Sequence, residues 1–233
     1  MHILLTRPLE DCSDLIIKLK ELGHSVSHLP LIKIKKMEYE EINFNDFSAI
    51  IFTSSNSIKH LNLDNINKTL KCFCVGSNTE KFARASGFQN VIAADGNVRA
   101  LKELILQNHE KKDGKILYVS GELISFDLDK DLSNEGYEIT RIINYSVEHN
   151  DEIKDDFIDE LKKNIPDIVY VYSENSSKSF LNIIKKYQLI DSWMNTNLMC
   201  IGEKTSSVLN EVKWKKIFLF SPGEEEFLTI AFM

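Results

Sequence analysis

Apolar residues fall in short runs, and each run gives way to polar residues and then to apolar ones at helical spacing. Residues 3–5 read as a first strand. Leu15, Ile16, Leu19 and Leu22 recur at the period of an amphipathic helix, and Gly23 closes it. Asp11 or Ser13 is its expected N-cap. Residues 26–29 form a second strand, stopped by Pro30. The same β-α-β order returns later: strand 116–119, a helix over 126–132, Gly136 as terminator, and strand 139–143.

The recurrence extends over the whole chain. Ala49, Ile50, Ile51 and Phe52 break into Thr53, Ser54, Ser55 and Asn56 before a helical pattern begins. Ile168, Val169, Tyr170 and Val171 lead in the same way into Ser173, Glu174 and Asn175. Ser54 thus matches Ser173, Asn56 matches Asn175, and Lys59 matches Lys178. A third pair sets Cys74, Gly76 and Thr79 against Cys200, Gly202 and Thr205. Strands at 91–93 and 217–220 follow, each ending near a glycine (Gly96, Gly223) before a helix at 98–106 and 225–230.

Short strands alternating with helices predict an α/β protein with parallel sheets. Ten strands, five in each copy, give two similar domains, each a five-stranded parallel sheet flanked by helices. The polar stretches near 33–41 and 145–155 lack glycine and read as matched extended linkers. Swapped and sequential arrangements both give five strands per sheet, and the positions of the two linkers favour the swapped one. Domain one then takes 1–35 plus 146–233, and domain two takes 36–145.

Hydrophobic residues at 43% and charged residues at 27% describe a globular chain. No apolar run reaches the roughly 18 residues of a membrane span, and residues 1–7 lack a signal-peptide core. A cytoplasmic protein is expected. A net charge of -7 without a basic block argues against nucleic acid and anionic membranes as partners, and neither is expected. An anionic ligand would be held by local donors, against the overall field. Cys12, Cys72, Cys74 and Cys200 form no metal or disulfide pattern, and the six histidines have no zinc-ligand spacing. Neither a metal nor a cofactor is expected.

The chemistry falls at the strand ends, where α/β proteins bind ligands. These turns hold Arg7, Ser54, Asn56, Gly76, Gly121, Ser173, Asn175 and Gly202, with Thr79 and Thr205 one turn further on. Such turns serve as plain helix caps or as anion cradles built of hydroxyls and backbone N–H groups. They suit a ligand with several carboxylates and supply no strong base or nucleophile. Arg7 ends a strand and can pair a carboxylate bidentately or neutralise a nearby acid. Tyr145 stands beside the second linker, as a hinge-packing aromatic or as a functional hydroxyl.

In order along the chain, LLTRP (4–8), LIKI (31–34), IIFTSSNSIK (50–59), VGSNT (75–79), ILYVSG (116–121), INYSVE (143–148) and CIGEKT (200–205) resemble the uroporphyrinogen-III synthase family. The resemblance implies two α/β domains joined by a two-stranded linker, with hydroxymethylbilane, a linear tetrapyrrole with eight carboxylates, held in the cleft between them. It implies cyclisation to uroporphyrinogen III with loss of water and inversion of ring D, without cofactor or metal. It implies that Tyr145 assists departure of the hydroxyl. Ser54, Thr79, Ser173 and Thr205 would contact substrate, with backbone N–H groups near Gly76, Gly121 and Gly202. A monomer that transiently meets the preceding pathway enzyme is expected. The rival readings are a non-enzymatic two-domain small-molecule binding protein and a sugar-phosphate isomerase, the latter lacking a Glu or His base at these turns.

Overall fold

The computed structural model describes residues 1–95, 97–150, 153–221 and 224–225. Gly96, Gly223 and nearly all of the helix expected over 225–230 lie outside these residues.

The chain opens with β1 (His2–Leu5), α1 (Ser13–Glu21), β2 (Ser25–His28) and β3 (Ile32–Lys36). Next come β4 (Phe47–Phe52), α2 (Ser55–Lys59), β5 (Lys71–Val75), α3 (Gly76–Ala85), β6 (Asn90–Ala94) and α4 (Val98–Asn108). They are followed by β7 (Lys115–Gly121), α5 (Leu128–Asn134) and the long β8 (Ile139–His149). Then come α6 (Asp155–Lys163), β9 (Ile168–Val171), α7 (Glu174–Lys186), β10 (Asn197–Cys200), α8 (Glu203–Ser207) and β11 (Lys216–Leu219). Two compact units result: Met1–Lys33 with Glu148–Met233, and Ile34–Val147.

The first unit carries a parallel sheet in the order β11-β10-β9-β1-β2. The second carries β3-β8-β7-β4-β5-β6, parallel from β8 to β6. The five parallel strands follow one plan in both, with β9 and β4 at the centre. The sixth strand, β3, comes from the stretch read as a linker. Met37 N–H donates to the Asn144 carbonyl and Asn150 N–H to the Leu31 carbonyl, each at 2.9 Å, so β3 and β8 run antiparallel. The strand expected to stop at 143 therefore continues to His149, because β3 supplies it with a new partner once β7 has ended. Tyr145 lies within this strand.

Both faces of each sheet are covered, which is why the strands read as unbroken apolar runs. Ile50, Phe52, Cys72, Cys74, Leu117 and Val119 pack with Ile58, Ala83 and Phe88 on one face of the second sheet. Ala49, Ile51, Phe73, Ile116 and Tyr118 pack with Leu101, Ile105, Leu128 and Leu132 on the other. In the first unit, Leu4, Val169, Val171 and Leu198 meet α6 and α7, while Ile3, Leu5, Ile168 and Tyr170 meet Leu19 and Phe220.

One cap differs from expectation. Cys12 is the N-cap of α1, without a side-chain bond to the helix, and neither Asp11 nor Ser13 takes that place. A 3-10 turn at Leu9–Asp11 uses up Asp11, and the Cys12 thiol turns back to the Pro8 carbonyl at 3.3 Å.

Candidate functional site

Parallel strands bring their carboxyl ends to one edge of each sheet, so the expected residues gather unit by unit. In the second unit, Ser54 follows β4 in extended conformation, and its Oγ accepts the Asn56 N–H at 3.2 Å. In the first unit, Ser173 follows β9 in the same conformation and its Oγ accepts the Ser176 N–H at 3.1 Å. The matched serines are matched N-caps. Capping occupies only an acceptor lone pair of Ser54, which keeps its O–H for donation, whereas Ser173 Oγ also shares a hydrogen bond with Ser176 Oγ at 2.9 Å. Asn56 and Asn175 lie half-buried in the turns that follow.

Gly76 and Gly202 both adopt φ +75°, with open space where a Cβ would project. Conformation, not crowding, calls for glycine at both places. Neither α3 nor α8 has a side-chain cap, so backbone N–H groups are left at the start of the ten-residue α3 without one. Thr79 and Thr205 are only 5% and 3% exposed. They are wall residues of their helices, and Ser77, Asn78, Glu203 and Lys204 form the exposed first turns.

Tyr145 is 8% exposed. The β7–β8 register slips here: Ser120 faces Ile143 but Gly121 faces Tyr145, so Asn144 is an extra residue. This bulge re-aims two side chains. Asn144 turns inward, and its Nδ2 donates to the Ser57 carbonyl at 2.7 Å, tying β8 to α2. Tyr145 lies against Gly121, where a Cβ would meet its Cζ at 2.6 Å. The His60 ring sits 6.3 Å from the Tyr145 ring, centroid to centroid. Tyr118 approaches from β7 with its hydroxyl 3.3 Å from Thr53 Oγ1. Burial pushes the Tyr118 phenol above its usual range.

Arg7 has protein partners. Its guanidinium lies 4.4 Å from the Tyr172 ring centroid, and Nη1 is 3.8 Å from Oε1 of the buried Glu225. Glu225 is a nearby acid of the kind the sequence reading allowed for Arg7. Burial, helped by Glu225, pushes the Tyr172 phenol well above its usual range. Burial also pushes Cys12 up to about 11 and Cys200 up to about 12. Thiols so placed are poor nucleophiles.

Sequence reasoning passed over His60, Arg141 and Asn144. His60 stands one residue beyond the Ser54 motif, and only the packing of α2 against β8 brings it to Tyr145. The signal for the bulge that aims Asn144 is Gly121, an isolated glycine at the end of an apolar strand, and the β8 side of the step carries none.

Fold and site together define a duplicated α/β protein whose strand ends present capped turns and helix N-termini, with a tyrosine seated on a glycine at one of them. The family model described as uroporphyrinogen-III synthase HemD matches residues 13–221, and the chain belongs to that family. It is similar to the chloroplastic uroporphyrinogen-III synthase of Oryza sativa subsp. japonica, 29% identical over 104 residues. That stretch covers 45% of this chain and 32% of the rice protein. Among solved structures it is similar to uroporphyrinogen-III synthetase from Helicobacter pylori 26695, with a TM-score of 0.66 at 19% identity, covering 99% of this chain and 98% of that one. A mutant uroporphyrinogen III synthase from the extremely thermophilic bacterium Thermus thermophilus gives a TM-score of 0.58 at 12% identity, covering 100% and 97%. Both share the fold. Among the described residues, no helix is long and apolar enough to cross a membrane.

Proposed function

We propose that the chain is a lyase that cyclises hydroxymethylbilane to uroporphyrinogen III, with loss of water and inversion of ring D. Family membership supports the activity, and the observation that carries it to particular residues is Tyr145 seated on Gly121 at the carboxyl edge of the second sheet. The terminal hydroxymethyl group must lose its C–O bond, and a proton delivered to the oxygen lets it leave as water. Tyr145 is the donor in this reading, a modest general acid. The electron-poor carbon left behind is attacked by the ring D carbon that already bears the bridge from ring C, giving a spiro intermediate. That bridge bond then breaks and re-forms at the free α-carbon of ring D, which loses its proton to give the inverted isomer.

The linear substrate also closes unaided, to the uninverted isomer. The protein's task is therefore to hold one conformation, which is orientation more than acid–base strength. Side-chain carboxylates of the substrate are held by the N–H groups at the start of α3 and by the hydroxyl of Ser54. Each helix terminus contributes about 0.3–1 kcal/mol. Arg7 serves this scheme through Tyr172 and Glu225, as the wall beside Ser173. A cytoplasmic monomer completes the reading, meeting the enzyme that makes its unstable substrate only transiently. Buried thiols at Cys12, Cys72, Cys74 and Cys200 suit a reducing compartment.

The test generates hydroxymethylbilane in place, adds the protein, oxidises the products and separates the porphyrin isomers. Predominance of isomer III supports the reading. Isomer I alone, from folded protein, overturns it in favour of a non-enzymatic binding protein.

A further inference from the structure

Arg141 lies on β8, four residues before Tyr145, and reaches across to the end of β7. Its Nε donates to Ser120 Oγ at 2.8 Å, and its Nη2 donates to the Gly121 carbonyl at 2.9 Å and the Glu122 carbonyl at 3.3 Å. Its guanidinium carbon is 5.9 Å from the centroid of the Tyr118 ring. Ser120 Oγ donates in turn to the Gly121 carbonyl at 3.1 Å. One side chain thus holds three consecutive residues, and its hydrogen-bond acceptors among the described residues are neutral oxygens.

The place where it does so is the bulge. After Ser120 the regular ladder is broken, and beyond Gly121 the Glu122 N–H, donating to the Tyr145 carbonyl at 3.0 Å, continues the pairing. A turn held so sparsely by backbone bonds has freedom to shift, and Tyr145 rests on that turn with no room to spare at Gly121. We propose that Arg141 is a positioning residue for Tyr145: its planar fork fixes the 120–122 turn to the strand that carries the tyrosine. Lysine carries its three donors on one nitrogen at the end of a flexible stem and cannot span these acceptors as the planar fork does. The assignment rests on Tyr145 acting in turnover as argued above.

The test has a structural and a kinetic arm. One Gly121 α-proton occupies the direction of the absent Cβ and so points at the Tyr145 ring. In the wild-type protein its NMR resonance is displaced upfield by the ring current. In Arg141→Met and Arg141→Lys that displacement collapses, whereas in Tyr145→Phe, which keeps the ring, it persists. In the kinetic arm both Arg141 variants lose roughly tenfold to a hundredfold in kcat, with KM little changed, since small misplacements carry losses of that order. In the Tyr145→Phe background the same substitutions cost nothing further. An unchanged Gly121 resonance in Arg141→Lys overturns the proposal. So does an equal loss in both backgrounds. If Arg141→Met does not fold, Arg141→Lys decides alone. Failure of the wild type to make isomer III defeats the proposed function separately, while the Gly121 resonance still decides whether Arg141 holds the turn.

Discussion

Gly121 and Tyr145 face each other across a broken register, so close that a methyl group on Gly121 would lie 2.6 Å from Tyr145 Cζ and 2.9 Å from its hydroxyl oxygen. Glycine is required here for space, since its φ is not among the left-handed ones. Gly121→Ala forces the tyrosine ring or the turn to move. Overpacking of this kind costs about 1–3 kcal/mol. Urea unfolding should show that loss in the single variant, and most of it should vanish when Gly121→Ala is made on a Tyr145→Ala protein.

Gly76 and Gly202 predict a similar loss for a different reason. Both sit at φ +75° with nothing near the missing Cβ, so Gly→Ala meets backbone strain alone. Each substitution should cost about 1–2 kcal/mol, the left-handed penalty for an L-residue. Asparagine, which tolerates that region, should recover part of it. A cost equal for alanine and asparagine would count against the conformational explanation.

The duplication itself was legible in the chain, and so was the parallel order of the strands, because buried strands and glycine-ended helices leave strong local signals. Ser54 with Ser173 and Gly76 with Gly202 could be matched by sequence alone. What escaped depended on partners distant in sequence. β3 becomes a strand only because β8 outruns β7. The Asn144 bulge arises from pairing, not from composition. The acid beside Arg7, Glu225, comes from the far end of the chain and could not be named from sequence.

Ser54 allows capping and ligand binding to be separated. Ser54→Ala removes the oxygen that accepts the Asn56 N–H and should cost about 0.5–2 kcal/mol. Ser54→Asp restores an acceptor, and with it stability. The same aspartate places a negative charge where a substrate carboxylate is proposed to bind, so its KM should rise above that of Ser54→Ala. A Ser54→Asp protein with wild-type KM would remove Ser54 from the binding surface.

His109 sets one limit on stability at low pH. It is 2% exposed, and burial lowers its pKa against the opposing effects of the Gly114 carbonyl and Asp113. Nε2 faces that carbonyl and Ser48 Oγ at 3.4 Å, Nδ1 lies 3.8 Å from Asp113, and the Phe73 and Tyr137 rings pack alongside. Because the folded pKa lies below the unfolded one, the unfolded state binds the extra proton first. Stability is therefore full above about pH 6.5 and falls as the pH drops toward the folded value. Urea midpoints between about pH 7 and 5, the range that brackets the ordinary histidine pKa, should decline more steeply for the wild type than for His109→Gln. Parallel declines would contradict the assignment.

Tyr145, held on Gly121, is proposed to supply the proton that assists hydroxyl departure. The most direct measurement is a single-turnover rate for Tyr145→Phe against wild type, with freshly generated hydroxymethylbilane and isomer analysis of the product. The variant should be slower by about 10²–10⁴-fold, the span of general acid catalysis, with isomer III still the enzymatic product. A rate equal to wild type, or a loss well beyond that span, would contradict the claim.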